Sequence, residues 1–516
     1  MTAAADGAPA LLDALAAAGE PAADHRPWPR YRLDPAAWRG LVERLETAPH
    51  WCLLGLWGDA GAVHVALMDE DGGDVAAVTV SCPDGRFPSL GRVRPGAIRL
   101  ERAVYDLFGL VPEGLDDDRP WLDHGRWGRH YPLAPGGREP APPDGMSYPF
   151  LPVEGEGLHH IPVGPVHAGI IEPGHFRFHA SGETVVRLEE RLGYVHKGIE
   201  GLMAGATLER AARLAGHISG DSTVAYALAF ARAVEAAAGT EAPPRAAWLR
   251  ALMAELERLA NHLGDVGAIC NDAAFALMHT HCGVLREEVL RAAHACFGHR
   301  LMMDRVVPGG VTADLETAGA DRLRRLATEV RGRFGELVEL YDNTASLLDR
   351  TAATGVVSAA LVHRFGAGGY VGRASSRAFD ARRLPGYPPY DDLDFEVPVL
   401  ADGDVNARLW VRVREVEQGL GLIGQILDRL PAGPVYGDVR AAGSGPREGM
   451  ALVEAFRGDL LVWVRLGADG RVERCHPRDP SWFQWPLLEA AIEGNIVADF
   501  PLCNKSFNCS YSGHDL

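Results

Sequence analysis

Residues 249–263 read LRALMAELERLANHL. Leu249, Leu252, Leu256, Leu259 and Leu263 recur at three- and four-residue steps, the spacing that stacks side chains along one face of an α-helix. RLRRLATEVRGRFGELVELYDNTASLL at 322–348 repeats the pattern, so most of 185–350 is expected to be a helical bundle. Downstream come a glycine-rich stretch, FGAGGYVGRASSRAFDARR at 365–383, an amphipathic helix at about 405–430, a strand pair at 450–475 and a last helix at 483–495. The closing DFPLCNKSFNCSYSGHDL at 499–516 reads as irregular yet studded with apolar residues, the composition of an end tucked into a fold. Towards the front the texture changes. VHVALM at 63–68 and VAAVTVSC at 75–82 are β-rich runs separated by DEDGGD and followed by PDGRFPSLG, a meander beside a helix at 35–47. The fold class is therefore α+β: a flexible tail over 1–27, a small α/β domain over 28–130, a Pro- and Gly-rich linker over 131–150, and a mainly helical domain over 151–516.

A chain of 516 residues with 47% hydrophobic and 23% charged residues has ample material for several cores. Its net charge of -18 would repel polyphosphate, which argues against non-specific nucleic-acid binding. The cysteines at 52, 82, 270, 282, 296, 475, 503 and 509 form no CxxC pair, so neither a zinc ribbon nor an iron–sulfur ligand run is present. Free buried thiols in a reducing compartment are expected. The first residues lack the basic segment of a signal peptide, and no apolar run approaches the ~18 residues that span a bilayer. The expected setting is cytosolic, with any membrane attachment supplied by partners.

GPVHAGIIEPGHFR at 164–177 crowds His167, Glu172, His175 and Arg177 among turn-forming glycines and prolines. Loops that present titratable groups from a rigid body are where sites concentrate; the same composition also suits a solvated hairpin. RLEERLGYVHKGIEGLMAG at 187–205 reads as helical, which would put His196 and Glu200 one turn apart on one face.

These stretches, together with ELERLANHLGDVGAICNDAAF at 255–275, PGGV at 308–311, and GYVGRAS at 369–375 followed by Asp380 and Arg382, resemble the large subunit of membrane-bound, energy-converting NiFe hydrogenases of the formate hydrogenlyase type. That family is homologous to the D subunit of respiratory complex I. LERAVYDLFGLVPEG at 100–114 is similar to the ERE-x-x-DMFG signature of the complex I C subunit, with Glu101, Arg102, Asp106, Phe108 and Gly109 matching. A C-like domain fused ahead of a D-like domain is the order of the formate hydrogenlyase large subunit.

The resemblance implies four cysteine ligands for nickel and iron, because soft sulfur donors are what a redox-active nickel requires. At the first pair, R-x-C-G-x-C in the family, this chain has Arg213, Leu214, Ala215, Gly216, His217 and Ile218. At the second, SFDPC-x-x-C, it has Ser506, Phe507, Asn508, Cys509, Ser510, Tyr511, Ser512 and Gly513. The ligand positions thus hold Ala215, Ile218, Ser510 and Gly513, and the NiFe centre is expected to be absent. The sequence stops three residues after Gly513, so no clipped extension is expected either. A different metal on Cys503, Cys509, His514 and His217 is the alternative.

The resemblance further implies that 164–177 is a β-hairpin lining a quinone cavity, with His167 or His175 as headgroup donor. Glu172, Arg177 and His196 join the binding set. Glu200 matches the acid of H-x-G-x-E, and Arg373 matches an arginine over the cavity; a salt bridge from Arg373 to Asp380 or Glu200 would serve structure instead. The second headgroup partner of complex I, a tyrosine, has no counterpart near Ala215, His217 and Asp221, where His217 could stand in; Asp221 also suits a helix N-cap. The expected role is a peripheral oxidoreductase subunit on the cytoplasmic face of the inner membrane. It would bind no cofactor of its own and take electrons from a small iron–sulfur subunit of the complex I B type. It would pass them to a quinone-like acceptor and engage H-like and antiporter-like membrane subunits. Hydrogenase-type chemistry on an altered metal site and a non-catalytic coupling scaffold are the alternatives. No GxGxxG follows a strand, so nicotinamide binding would belong to the whole complex.

Overall fold

The computed structural model describes residues 10–136, 148–167, 171–439 and 447–516. In the first domain, β-branched runs form a five-stranded sheet in the order Glu20–Ala22, Arg30–Leu33, Val75–Ser81, Ala62–Asp69, Trp51–Asp59. The expected helix lies at Pro35–Thr47, started by Pro35 and by the Asp34 carboxylate accepting from Ala37 N at 2.8 Å. Trp38, Leu41 and Leu45 anchor it to the sheet.

The described part of the expected flexible start, residues 10–27, is instead built into the fold. Leu11–Ala18 is a helix that buries Leu11 and Leu15, and His25–Arg26 pairs in parallel with Glu448 and Gly449 of the second domain. Alanine-rich composition suggested fraying, but two leucines at i and i+4 give the short helix an apolar anchor.

The signature helix Ala97–Phe108 explains its own motif. The Glu101 carboxylate accepts from Ser89 Oγ and Leu90 N, Asp106 accepts from the amides of Trp121, Leu122 and Asp123, and Arg102 donates to the Arg119 carbonyl and to Asp117. These charges pin irregular backbone. Burial pushes Glu101 up to about 7 and Asp106 up to about 6.

The second domain carries a three-stranded antiparallel sheet, Leu158–Val163, His175–Ser181 and Thr184–Arg191, with the middle strand in the centre. Its bundle comprises Thr223–Ala238, the long Pro244–Asp272, Ala276–Phe297, Thr317–Asp342 and Val405–Arg429. The helix expected over 187–205 is corrected. Residues to Arg191 pair with His175–Ser181, positive φ at Gly193 (95°) and Gly198 (71°) breaks any helix, and only Ile199–Met203 is helical. The strand pair at 450–475 is a triplet, Arg447–Ala455, Gly458–Leu466 and Val472–Arg478. The last helix is Ser481–Ile492, and the tail expected to be irregular forms Phe500–Phe507 and Tyr511–Asp515.

The five-stranded sheet faces the sheet formed by Arg447–Ala455, Gly458–Leu466 and Val472–Arg478. Trp51–Asp59 is buried at every position because one side meets the first domain's helices and the other meets the second sheet. Leu54, Trp57, Ala66 and Met68 pack against Met450, Leu452, Leu461 and Trp463, with Trp57 and Trp463 ring centroids 5.6 Å apart. The two domains share this interior rather than being joined by the linker alone. Of that linker, 137–147 lie outside the described residues; its flanks are fixed, with Tyr148 Oη accepting from Arg102 and Phe150 lying under Arg177. No described helix is long and apolar enough to cross a membrane.

Candidate functional site

The tail is folded into the heart of the second domain. Asn508, in the left-handed region at φ 45°, ends one helix, and Ser510 starts the next by accepting from Gly513 N at 2.9 Å. Ser510 N donates to Ser481 Oγ, and Trp485 Nε1 donates to the Ser510 carbonyl. Ser510 Oγ lies 3.0 Å from Ser219 Oγ, which donates to Asp221 Oδ1 at 2.8 Å. Asp221 in turn holds Arg457 NH2 at 2.5 Å, and Arg457 Nε reaches the Asn508 carbonyl. Partial burial disfavours charge on Asp221, but Arg457 outweighs it and holds the carboxyl at about 2. Asp221 makes no cap bond to the helix Thr223–Ala238, so its work is ion pairing.

The fourth ligand position, Gly513, is closed to any larger side chain. A Cβ there would stand 2.8 Å from Tyr226 Oη and still nearer Asp479 Oδ2, and Tyr226 Oη donates to that same Asp479 oxygen at 2.6 Å. Ala215 and Ile218 are buried and apolar. The four ligand positions thus hold two buried apolar side chains, a serine and a glycine, and the serine and glycine are enclosed by hydroxyl, carboxylate and guanidinium groups. This donor set does not fit a NiFe centre.

The alternative ligands do not converge. Cys503 and Cys509 are buried, and burial holds the Cys503 thiol up at about 11 and the Cys509 thiol well above its ordinary range. His514 is committed on both nitrogens, Nδ1 to Asp515 Oδ1 at 2.8 Å and Nε2 accepting from Trp121 Nε1 at 3.2 Å, while its ring stacks on Trp482. His217 ends its helix exposed, its Nε2 3.2 Å from the Asp304 carboxylate. Among the described residues, the only three His, Cys, Asp or Glu groups placed to share one ion are His50, Asp69 and Asp71, far in sequence from these.

The loop 164–174 joins two antiparallel strands, as a hairpin should; residues 168–170 lie outside those described. It touches the tail: Glu172 Oε2 accepts from Ser512 N at 2.9 Å, and Gly174 leaves room for the Tyr511 ring. His175 Nδ1 donates to the Gly164 carbonyl at 3.1 Å, and its Nε2 has no partner among the described residues. Burial lowers the His175 pKa, so the neutral ring presents a lone pair at Nε2. Arg177 lies over Phe150, 4.0 Å from the ring centroid. His167 sits half-buried on the ascending side of the loop, beside Val166, which is 90% exposed.

The remaining predicted residues fall elsewhere. His196 precedes the helix rather than sharing a face with Glu200; it stacks on Trp127 and its Nδ1 donates to the Asp515 carbonyl. Glu200 bonds His476 at 2.5 Å and Arg474 at 2.7 Å; burial opposes its charge, yet these two partners hold it at about 2. Arg373 is fully buried among Glu415, Glu454 and Asp380, a structural ion network that does not include Glu200. Sequence reading missed Ser219, Tyr226, Arg457 and Asp479. Arg457 had a legible signal, an arginine in the two-residue turn between two apolar strands; Tyr226 and Asp479 had none, being 253 residues apart.

Two family models match the chain: the 49 Kd subunit of respiratory-chain NADH dehydrogenase over residues 272–451 and its 30 Kd subunit over 53–135. Formate hydrogenlyase subunit 5 of Escherichia coli (strain K12) is 32% identical over 466 residues, covering 88% of this chain and 82% of its own. A C/D-type NADH-quinone oxidoreductase subunit of Aquifex aeolicus (strain VF5) is 26% identical over 486 residues, covering 81% of this chain and 82% of its own. A chain in the solved structure of the membrane-bound sulfane sulfur reductase, an archaeal respiratory membrane complex, superposes with a TM-score of 0.65 at 26% identity, covering 71% of this chain and all of that one.

Proposed function

Since the chain belongs to the family of large subunits shared by energy-converting hydrogenases and respiratory NADH dehydrogenase, and is an oxidoreductase subunit of that kind, we propose that it works without nickel. In this reading it sits peripherally on a membrane arm and accepts electrons from the iron–sulfur cluster of a small partner subunit. It positions a quinone-like acceptor at the 164–177 loop, and the reduction is coupled to ion movement in the membrane subunits. The observation that carries the reading is the tail: Ser510 and Gly513 stand at two ligand positions, and Asp479 and Tyr226 fill the space beside Gly513.

Reducing a quinone to a hydroquinone takes two electrons and two protons. The electrons come from the partner's cluster. With Nδ1–H committed to Gly164, His175 protonated at Nε2 by water donates from that atom to the carbonyl of the oxidised form and gives up that proton as the acceptor is reduced; water supplies the second proton, and the neutral ring then accepts a hydroxyl hydrogen bond from the hydroquinone at Nε2. Glu172, fixed to Ser512 N, ties the loop to the tail and so sets the loop's position. The exposed apolar residues Val166 and Ile171 suit an acceptor's hydrocarbon tail or the neighbouring subunit.

The test is to count metals per chain in the natively purified complex and to assay quinone reduction in His175→Ala and His167→Ala. Iron without nickel is expected, with at least a tenfold loss of turnover in His175→Ala and unchanged turnover in the His217→Ala control. Nickel at one atom per chain would overturn the reading. An assembled complex in which none of these variants alters turnover would leave the chain as a coupling scaffold.

A further inference from the structure

A cavity of about 330 Å³ lies between the two domains, away from the 164–177 loop. The first domain contributes Trp57, Val104 and Phe108, and the second contributes Leu202, His476 and Trp482. Its charged neighbours are already paired. Lys197 Nζ donates to the Ile218 carbonyl, Arg474 and His476 share Glu200, and Asp515 accepts from Val195 N and His514. What remains on the lining residues is apolar surface, three donors without a partner among the described residues (Trp57 Nε1, Trp482 Nε1 and Arg474 Nε) and one acceptor. His476 Nδ1 donates to Glu200 Oε1, which leaves Nε2 as an acceptor, and Nε2 has no partner among the described residues although His476 is only 7% exposed. The ring is held in place by Trp57, stacked at 5.4 Å and 13°.

The cavity opens to solvent beside Leu202, and an apolar pocket with a few fixed polar groups is the usual form of a small-molecule site. A cavity of about 150 Å³ holds benzene, so this one suits a ligand of roughly ten to fifteen non-hydrogen atoms. With every nearby charge compensated, a charged ligand gains nothing here, whereas a donor hydroxyl would meet a preformed acceptor. We propose that this interdomain cavity binds a neutral, largely apolar alcohol or phenol, with its hydroxyl donated to His476 Nε2.

The probe is 1-naphthol, with naphthalene as the hydroxyl-free comparison, titrated against the full chain by tryptophan fluorescence and calorimetry. Expected are one site per chain and tighter binding of 1-naphthol than of naphthalene. Ala103→Trp, which fills the cavity from the signature helix, should weaken both ligands at least tenfold. Leu202→Trp does the same from a residue that is 45% exposed and tolerant of substitution, so the test survives if Ala103→Trp fails to fold. His476→Phe should keep naphthalene binding and erase the preference for 1-naphthol. No binding by the native chain, or equal affinity in Leu202→Trp, would sink the site. A preference that persists in His476→Phe would remove the hydroxyl assignment. None of these results bears on the acceptor loop, which shares no residue with the cavity.

Discussion

Gly513 shows how little room one atom needs to decide a site's chemistry. Restoring the family's thiolate by Gly513→Cys would drive a side chain into Asp479 and Tyr226, whose own bond at 2.6 Å resists displacement. Overpacking of this kind costs about 1–3 kcal/mol, so both Gly513→Cys and Gly513→Ala should lower the thermal midpoint, and Gly513→Cys should bind no nickel. A cysteine variant as stable as the native chain in calorimetry would show that the pocket yields. Arg457→Met leaves Asp221 ionised without its cation, but the Asp221 side chain is 35% exposed and water screens it, so a loss of about 1–3 kcal/mol in denaturant titration is expected. The substitutions at 215, 218, 510 and 513 were legible by position against the family pattern. What surrounds them was not, since Ser219, Arg457 and Asp479 reach the tail only through tertiary folding.

Among the elements, those set by local chemistry were the legible ones: the capped helix Pro35–Thr47, the long leucine-rich helix Pro244–Asp272 and the hairpin strands Ala62–Asp69 and Val75–Ser81. The strand Thr184–Arg191 was misread because its alternating charges, Glu189 and Arg191 among them, also fit a helix; only pairing with His175–Ser181 chooses between them. The start of Thr223–Ala238 shows a helix end satisfied from a distance. Glu257, on the neighbouring helix, accepts from Val224 N at 2.7 Å and Ala225 N at 3.0 Å, and burial pushes it up to about 8 against those two bonds. In the unfolded chain a glutamate titrates near ~4.3. Between these values the folded state holds a proton that the unfolded state has released, so stability falls as pH rises through that window. Glu257→Gln removes the titration. Its stability relative to the native chain should therefore improve between pH 6 and pH 8, by up to about 1.4 kcal/mol per pH unit. Parallel urea curves at the two pH values would deny Glu257 this role.

Across the whole molecule, charge stitches the two domains together as firmly as apolar contact does. Arg99 of the signature helix bonds Glu190 at 2.5 Å and Glu489 at 2.9 Å, carboxylates from a strand and a helix of the second domain. Arg99→Met would strand both acids. A loss of about 3–5 kcal/mol is expected, together with proteolytic cleavage near the junction and recovery at lower pH as the acids protonate. The order of domains was legible from the sequence, but their intimacy was not, since Trp57 and Trp463 read separately as ordinary core residues. That shared interior makes the covalent link between the halves dispensable in principle. Cut between residues 136 and 148 and produced together, the two pieces should find each other and copurify as one particle, each supplying the other's missing wall. Produced alone, the front piece should clump, because the sheet face bearing Leu54, Trp57 and Met68 would meet water.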